Sequence, residues 1–498
     1  MRTWLPLLLL AACSASTPGG GVSRGADTSG PPRARPGAVS VFEFGAIGDG
    51  QTDDRPAIQA AIAAAAAGRG EVFIPPGTYA ISGTPHRHWG LDVPAGVHLR
   101  GAGADLTVLQ QAPGAGKSER MIHVSGAHVS VEDLTLDGNK AKQQRPDEQR
   151  HGLFATDTQG LVISRIVARD FTGDGIYLFN GARGTRVDHV RATGSDRNGF
   201  TLGGDVDDTI VFASSFDGNA AQQFDSEPGD INAVRHTVIT GCYLDGRASN
   251  DYTLTVSGNP KVRGSDWLVF GNRIDGSVFI VWAERVIIAG NTGVNATTKA
   301  SVTVYRTSSD VEIIGNRFEQ TQTRVGSLAG VLIQGTGTGS APRHVRVLGN
   351  DLTLRDERSF GIRAEGAIDV ELVDNTLHGA GRKAAGAAGI YVRATNTKED
   401  FERAVVRGNT VRNFGARGVS VAGNGVAKLR ELEISRNSFD DDSAGAAMTT
   451  GISLDDGAGA AQQIKVDGNR YNGAVRDAVA NIPHAATVSI DGQPAGVP

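Results

Sequence analysis

The sequence predicts an all-β solenoid, and three observations carry that expectation. Glycine supplies 67 of the 498 residues while Phe, Trp and Tyr together make only 6%, a balance suited to tight turns rather than to large packed side chains. A strand ending in a turn with asparagine in one fixed place recurs as "LVFGNRI", "IIAGNTG", "EIIGNRF", "RVLGNDL", "ELVDNTL", "VVRGNTV", "EISRNSF" and "KVDGNRY", at Asn272, Asn291, Asn316, Asn350, Asn375, Asn409, Asn437 and Asn469. A second strand recurs out of phase with the first, as "GLFAT", "GIYLF", "GFTLG", "QFDSE" and "DYTLT", then "GIRAE", "GIYVR", "GVSVA" and "GISLD". The asparagine slot can be extended upstream to Leu134, Ile166, Val190, Ser215 and Cys242, which gives a mean period of about 28 residues, inside the range that marks solenoids. Asparagine tolerates left-handed turns, and its side chains can bond from coil to coil.

The elements before the repeat follow in order. Arg2, the apolar run "WLPLLLLAA" and the small residues before Cys13 have the layout of an export signal, too short to span a membrane. "LAAC" resembles the lipobox of bacterial lipoproteins, which implies cleavage before Cys13 and lipidation of its thiol; an ordinary signal with an incidental cysteine is the other reading. Either way the protein is expected to be exported, lipid-anchored to a bacterial membrane in the cell envelope, or else periplasmic or secreted. Cys242 is the only other cysteine, so no intrachain disulfide framework is expected in the mature chain. Residues 14–38 form a Gly/Pro/Ser-rich tether, and residues 39–492 are expected to form a single β-helix domain. Within "GQTDDRPAIQAAIAAAAAG", Thr52 is the expected cap, Asp53 and Asp54 suit the positive end, and Pro56 is tolerated in the first turn. Ile58, Ala61, Ile62 and Ala65 share a face and Gly68 stops the helix. A stack of coils has an open apolar end, which such a helix would cover.

The stretch "FGAIGDGQTDDRPAIQAAI…GEVFIPPGTYAIS…LDVPAGVHLRGAG", about residues 41–110, resembles the opening of the pectate lyase superfamily proteins grouped with rhamnogalacturonases and sugar epimerases. That resemblance implies a right-handed parallel β-helix of the pectin-lyase-like kind. A second resemblance, of "RNGF…QFDSEPG" to an R-x-G-I…G-I-D-x-E-P pattern in extracellular β-helix proteins of that superfamily, covers Arg197, Gly199, Asp225, Glu227 and Pro228; Gln223 and Phe224 stand where the pattern has Gly and Ile. The superfamily's polygalacturonase signatures Asn-Thr-Asp, Gly-His-Gly and Arg-Ile-Lys are absent, so the fold name does not itself supply a reaction.

Alternation along a strand gives a site. Phe224 and Ser226 take inward slots, and Asp225 and Glu227 stand outward. Across coils the outward columns read Phe154, Tyr177, Thr201, Asp225, Thr253 and Thr156, Phe179, Gly203, Glu227, Thr255. A polar column precedes them, His151, Asp174, Asn198, Gln222 and Asn250, with Arg150 and Arg197 in the adjoining slot. The expected result is a continuous exposed patch of aromatics, acids, amides and arginines, a mixture suited to sugars, with His151, Tyr177, Arg197, Asn198, Arg150, Phe154 and Phe179 as substrate-binding candidates. Loop 137–150 is expected either to wall this patch or to cover it.

Asp225, Glu227 and Asp174 are the catalytic candidates. Asp225 and Glu227, two residues apart with Cβ atoms about 7 Å apart, can approach the separation of paired glycosidase acids, and like-charge crowding would keep one protonated. The same patch permits a lyase or epimerase, in which His151 or Tyr177 removes the proton beside a uronate carboxylate and Arg150 or Arg197 stabilises the anion. The expectation leans to an enzyme cleaving an acidic polysaccharide, with the lyase or epimerase reading next and a noncatalytic glycan-binding adhesin as the rival class. A solvated strand face, as expected for Glu365 and Asp455, is the plain alternative for Asp225 and Glu227, and a turn contact is the plain alternative for His151. Asp205, Asp207 and Asp208, like Asp440 to Asp442, are acids of the kind that hold Ca²⁺ but lack EF-hand spacing, so Ca²⁺ is not predicted and the cofactor stays open. A net charge of -5 with no basic, aromatic-interleaved block argues against nucleic acid.

Overall fold

In the computed structural model the described residues are 33–494, apart from 69, 85–87, 115–118, 144–146, 248, 250, 324–327, 338, 383–386, 395–400, 424–428, 445–446, 455–462, 474, 476 and 481–486. Cys13, the tether up to residue 32, Asn250 and Asp455 therefore lie outside the described residues.

From Ala34 onward the chain winds into a right-handed parallel β-helix of about 14 turns. A typical coil carries three short strands, as in Ile176–Phe179, Arg183–Asp188 and Arg191–Thr193. Each pairs in parallel with its counterpart one coil on, Phe200–Gly203, Asp207–Phe212 and Ser215–Asp217. Short strands leave little backbone unpaired because both edges of every inner strand meet a neighbour.

The core is a set of inward columns. Leu153, Ile176, Phe200, Phe224, Leu254 and Val278 lie in register and are buried. Phe200 and Phe224 stack face to face at 5.0 Å, with Phe216 edge-on to both. Ser226, inward as expected, shares its buried polar group with Ser257, whose amide donates to its hydroxyl at 2.7 Å.

The helix Arg55–Gly68 buries Ile58, Ala61, Ile62 and Ala65. Gln59 fixes it to the first full coil: its amide nitrogen donates to the Asp92 carbonyl at 3.1 Å and its oxygen accepts the Asp92 amide at 2.9 Å. The helix thus supplies partners to a backbone edge and covers the apolar end. Thr52 is not the cap; its hydroxyl is drawn off to Asp49 at 2.9 Å, and the first helical bond runs from Ile58 to the carbonyl of Asp54.

The asparagine slot forms a continuous buried ladder. Asn350 shows the unit: its amide nitrogen donates to the Ile313 carbonyl at 2.8 Å and to Asn375 Oδ1 at 3.0 Å. Its own Oδ1 accepts from the backbone and side-chain nitrogens of Asn316, both at 2.9 Å. The same pattern links Asn272 through to Asn469. Upstream the slot passes to Cys242, whose amide donates to Asn272 Oδ1, and then to Ser214 rather than Ser215, because Ser215 pairs with Arg191 and Tyr243. The ladder generates a prediction. Asn350→Ala orphans several buried groups at once, each costing about 1–3 kcal/mol, so it should destabilise the fold by about 3 kcal/mol or more in denaturant titration. An exposed substitution in the preceding coil, Arg317→Ala, should shift the midpoint far less.

Candidate active site

Register brings the expected residues to one sheet. Asp92, His123, Phe154, Tyr177, Thr201 and Asp225 stand in a single outward column. Thr156, Phe179, Gly203 and Glu227 form the column beside it. Beyond Asp225 the expected order fails: Phe224 pairs with Leu254, so Thr255, not Thr253, continues the Asp225 column. Thr253 is buried, and its hydroxyl accepts the Ser277 amide.

The polar column is a ladder of its own. His151 Nδ1 accepts the Asp174 amide, Asp174 Oδ1 accepts the Asn198 amide and Asn198 Oδ1 accepts the Gln222 amide, each at 3.0 Å. These side chains lie on the outer side of the sheet, yet they are buried: His151 and Asp174 are 0% exposed, Asn198 1% and Asp225 5%. The expected open patch is therefore a covered cluster, because Arg197, Tyr177 and Gln222 close over it. Glu365 is likewise not a solvated acid; it is buried and held by Arg363 at 2.9 and 3.0 Å.

Glycine shapes the site at two places. A Cβ on Gly152, Gly175 or Gly199 would run into the backbone of the next coil, which explains the glycine that opens each strand. The column ends at Gln223, whose buried amide exchanges hydrogen bonds with Asn219, so the departure from the pattern is filled by a polar pair. A Cβ on Gly203 would collide with the Tyr177 hydroxyl. The gap it leaves lets Tyr177 reach Glu227 Oε2 at 3.1 Å.

One arginine organises the acids. Arg197 donates to Asp174 Oδ2 at 2.7 Å, pairs with Glu227 Oε1, and lies 6.0 Å from the Tyr177 ring centre. Asp225 Oδ2 accepts from Asn198 at 3.3 Å, and with the Gln222 amide turned so that its oxygen accepts from Thr255, its nitrogen donates to both Asp225 oxygens at 2.8 and 3.0 Å. Burial outweighs Arg197 at both buried acids: Asp174 is pushed up to about 7, and so is Asp225. Burial also raises Tyr177 to about 12, with Asp174 adding to the effect.

His151 is held neutral by burial and by Arg120 and Arg197 nearby. Its Nδ1 accepts an amide proton, so its 3.6 Å approach to Asp174 is not an ion pair. The ring lies under Phe154 and edge-on to Tyr177 at 4.9 Å, which makes it a positioning group rather than a base open to substrate. Phe154 and Phe179 stack at 6.0 Å, with Phe179 half-buried. Arg150 is buried, its carbonyl accepting the Gly173 amide. The described part of loop 137–150 is tied to the rim by Lys140–Asp196 at 2.9 Å and by Thr172 donating to the Asp147 carbonyl, and forms a wall there.

Several neighbours were not anticipated. Trp89 stacks on His123 at 4.2 Å, His123 bridges Asp92 at 2.9 Å and Thr156 at 3.1 Å, and Arg120 lies over Phe154 at 4.4 Å. Asp205 and Asp207 are engaged by arginines, Arg183 and Arg235 on the first and Arg235 on the second. Among the described residues no group of three or more His, Cys, Asp or Glu side chains is arranged to hold a metal ion.

Two predictions follow from this geometry. Asp225 has a higher pKa folded than unfolded, so its contribution to stability is present at low pH and is lost as pH rises from about 4 to about 7. Asp225→Asn should flatten that loss in melting curves taken across the interval. Gly203→Ala should push the Tyr177 ring from Glu227 and raise Tyr177 fluorescence accessibility to quencher, with the coil count, read by circular dichroism, unchanged.

Residues 38–210 match the family described as rhamnogalacturonase A/epimerase, pectate lyase-like. Mannuronan C5-epimerase AlgE6 of Azotobacter vinelandii is 33% identical over 193 residues, 35% of this chain and 22% of the relative. Alginate lyase 7 of the same organism is 41% identical over 108 residues, 20% and 13% of the two chains. Plasmin and fibronectin-binding protein A of Streptococcus pneumoniae is 32% identical over 175 residues, 32% and 24%. The chain thus matches about a quarter or less of the length of each of these relatives. The matched segment, residues 38–210, is similar to that family, and with its capping helix and the coils that follow the chain folds as a right-handed parallel β-helix.

Proposed function

We propose that this face acts on a uronate-containing polysaccharide by moving the proton at C5, the carbon beside the sugar carboxylate. The observation that carries the reading is the connected set Asp174–Arg197–Glu227–Tyr177 with Asp225 beside it. A C5 proton is acidified when the neighbouring carboxylate is neutralised. Arg197, the Asn198 and Gln222 amides and a protonated Asp225 are the groups able to do this, and Asp225 near 7 holds its proton for a useful fraction of the time at neutral pH. Tyr177, whose phenol keeps its proton in the free protein, passes that proton to Glu227 Oε2, its hydrogen-bond acceptor, as its oxygen takes the proton from C5. A proton delivered to the opposite face of C5 gives the epimer; expulsion of the C4 oxygen, which takes the proton now on Tyr177, gives elimination instead. Relatives named as a mannuronan epimerase and an alginate lyase support this choice of substrate.

Glycosidic hydrolysis by Asp225 and Glu227 is the second reading, favoured by the raised Asp225 acid. Against it, both Glu227 oxygens are already engaged, one by Arg197 and one by Tyr177, which leaves neither free to activate a water. Export with lipidation at Cys13 belongs to the same proposal and places the substrate outside the cytoplasm.

The test is incubation with polymannuronate and alginate in deuterated water. Deuterium at C5 or inverted residues in proton spectra, or an unsaturated-uronate absorbance, is the expected result, and Tyr177→Phe should lower the rate by about 10²–10⁴-fold. New reducing ends without unsaturation would move the assignment to hydrolysis. Binding with no product on any acidic glycan would make the protein a glycan binder.

A further inference from the structure

We infer that the same sheet face carries a second saccharide subsite, two to three coils beyond Asp225, in which Arg306 reads the carboxylate of another uronate unit in the chain that reacts at Tyr177. The inference rests on the proposed C5 chemistry only for the direction in which the glycan runs.

The placement follows from register. The Asp225 column continues through Thr255 to Phe279 and Thr303, and the Glu227 column reaches Val281 and Tyr305. Two half-buried aromatic groups sit there. Tyr252 stacks on Phe279 at 4.3 Å with the rings nearly parallel, and the Lys299 ammonium lies 4.1 Å over Tyr252 while also bridging Asp251 at 2.9 Å. One coil on, the Arg306 guanidinium lies 4.4 Å over Trp282 and 5.4 Å from the Tyr305 ring centre.

Arg306 differs from the arginines around the candidate site. Arg197, Arg183 and Arg235 all face carboxylates. Among the described residues the Arg306 side chain has neither an ion pair nor a hydrogen bond, and its buried Nε has no partner. A buried donor left unmade costs about 1–3 kcal/mol, and a guanidinium held flat on an indole keeps its donor edge free for a bidentate carboxylate. Flat rings beside a free cation are the chemistry of an acidic sugar site: ring faces meet C–H surfaces, and the cation meets the carboxylate.

Spacing identifies the occupant as one continuous chain. Coils repeat at about 4.8 Å, close to the length of one linked pyranose. A glycan running along the solenoid axis with a unit at Tyr177 and Glu227 therefore lays a later unit over Phe279 and another against Arg306, about 14 Å beyond Glu227.

The experiment measures affinity of the full chain for mannuronate oligomers of three and eight units, with a neutral cello-oligosaccharide as control. The wild-type protein should bind the octamer about tenfold more tightly than the trimer, in a salt-sensitive way, and ignore the neutral sugar. In Arg306→Gln that octamer advantage should vanish, in Trp282→Ala it should shrink, and in Arg306→Lys part of it should survive, which separates lost charge from a misfolded coil. An octamer advantage retained in Arg306→Gln would overturn the inference, as would equal weakening of trimer and octamer. Octamer binding of this pattern with no product from any uronate would leave the subsite standing and remove the C5 chemistry. A wild-type protein that binds neither oligomer would remove both.

Discussion

Parallel pairing between like strands places each residue of a coil over its counterpart in the next, at about 4.8 Å. A group that repeats in such a stack becomes a ladder, and a group that varies becomes a surface of mixed chemistry. Both outcomes occur here, at different corners of the same coils. The asparagine corner repeats one self-complementary amide eight times, from Asn272 to Asn469. The corner leading into the site sheet keeps the hydrogen bond from coil to coil but changes the residue each time, from His151 to Asp174 to Asn198 to Gln222. The backbone is satisfied in the same way while the outward chemistry is free to differ.

The cost of that freedom is electrostatic. Three carboxyl groups gather near one guanidinium, and two of them are buried. Burial of a carboxylate disfavours its charge unless it is fully paired, so the site favours protons on Asp174 and Asp225 near neutral pH even with Arg197 bridging Asp174 and Glu227. Such a set of groups suits proton traffic better than rigid structural pairing. The surrounding aromatic cage of Phe154, Tyr177 and His151 maintains the low-polarity setting on which this depends.

Much of this was legible in the sequence. The strand repeats and the Asn turns gave coil period, core columns and the convergence of Asp225, Glu227, Tyr177, Arg197, Asp174 and Asn198. The alternation rule reported side correctly but not depth: Asp225 points outward and is nevertheless covered, since coverage is set by long side chains from neighbouring coils. The register shifts at Thr253 because the connection from Asp245 to Leu254 is longer than that from Asp217 to Phe224, so the look of "DYTLT" does not disclose its pairing. Arg120 and His123 are hard to read because their strand, Arg120–Ala127, has Met121 in the slot that later copies fill with glycine, whereas Trp89–Val93 does carry that glycine, Gly90, immediately before Leu91 and Asp92. The outward positions of Asp92 and His123, one coil apart, were the available signal.

The asparagine ladder starts only at Asn272, and coils carrying the site use Leu134, Ile166, Val190, Ser214 and Cys242 at that corner. In a stack whose stability is a sum over neighbouring interfaces, the two halves are then unequally braced. The amide-rich coils act as an anchor, and the proton-holding coils hang between it and the terminal helix pinned by Gln59. The candidate site thereby lies between two devices that satisfy backbone groups, the capping helix on one side and the amide ladder on the other.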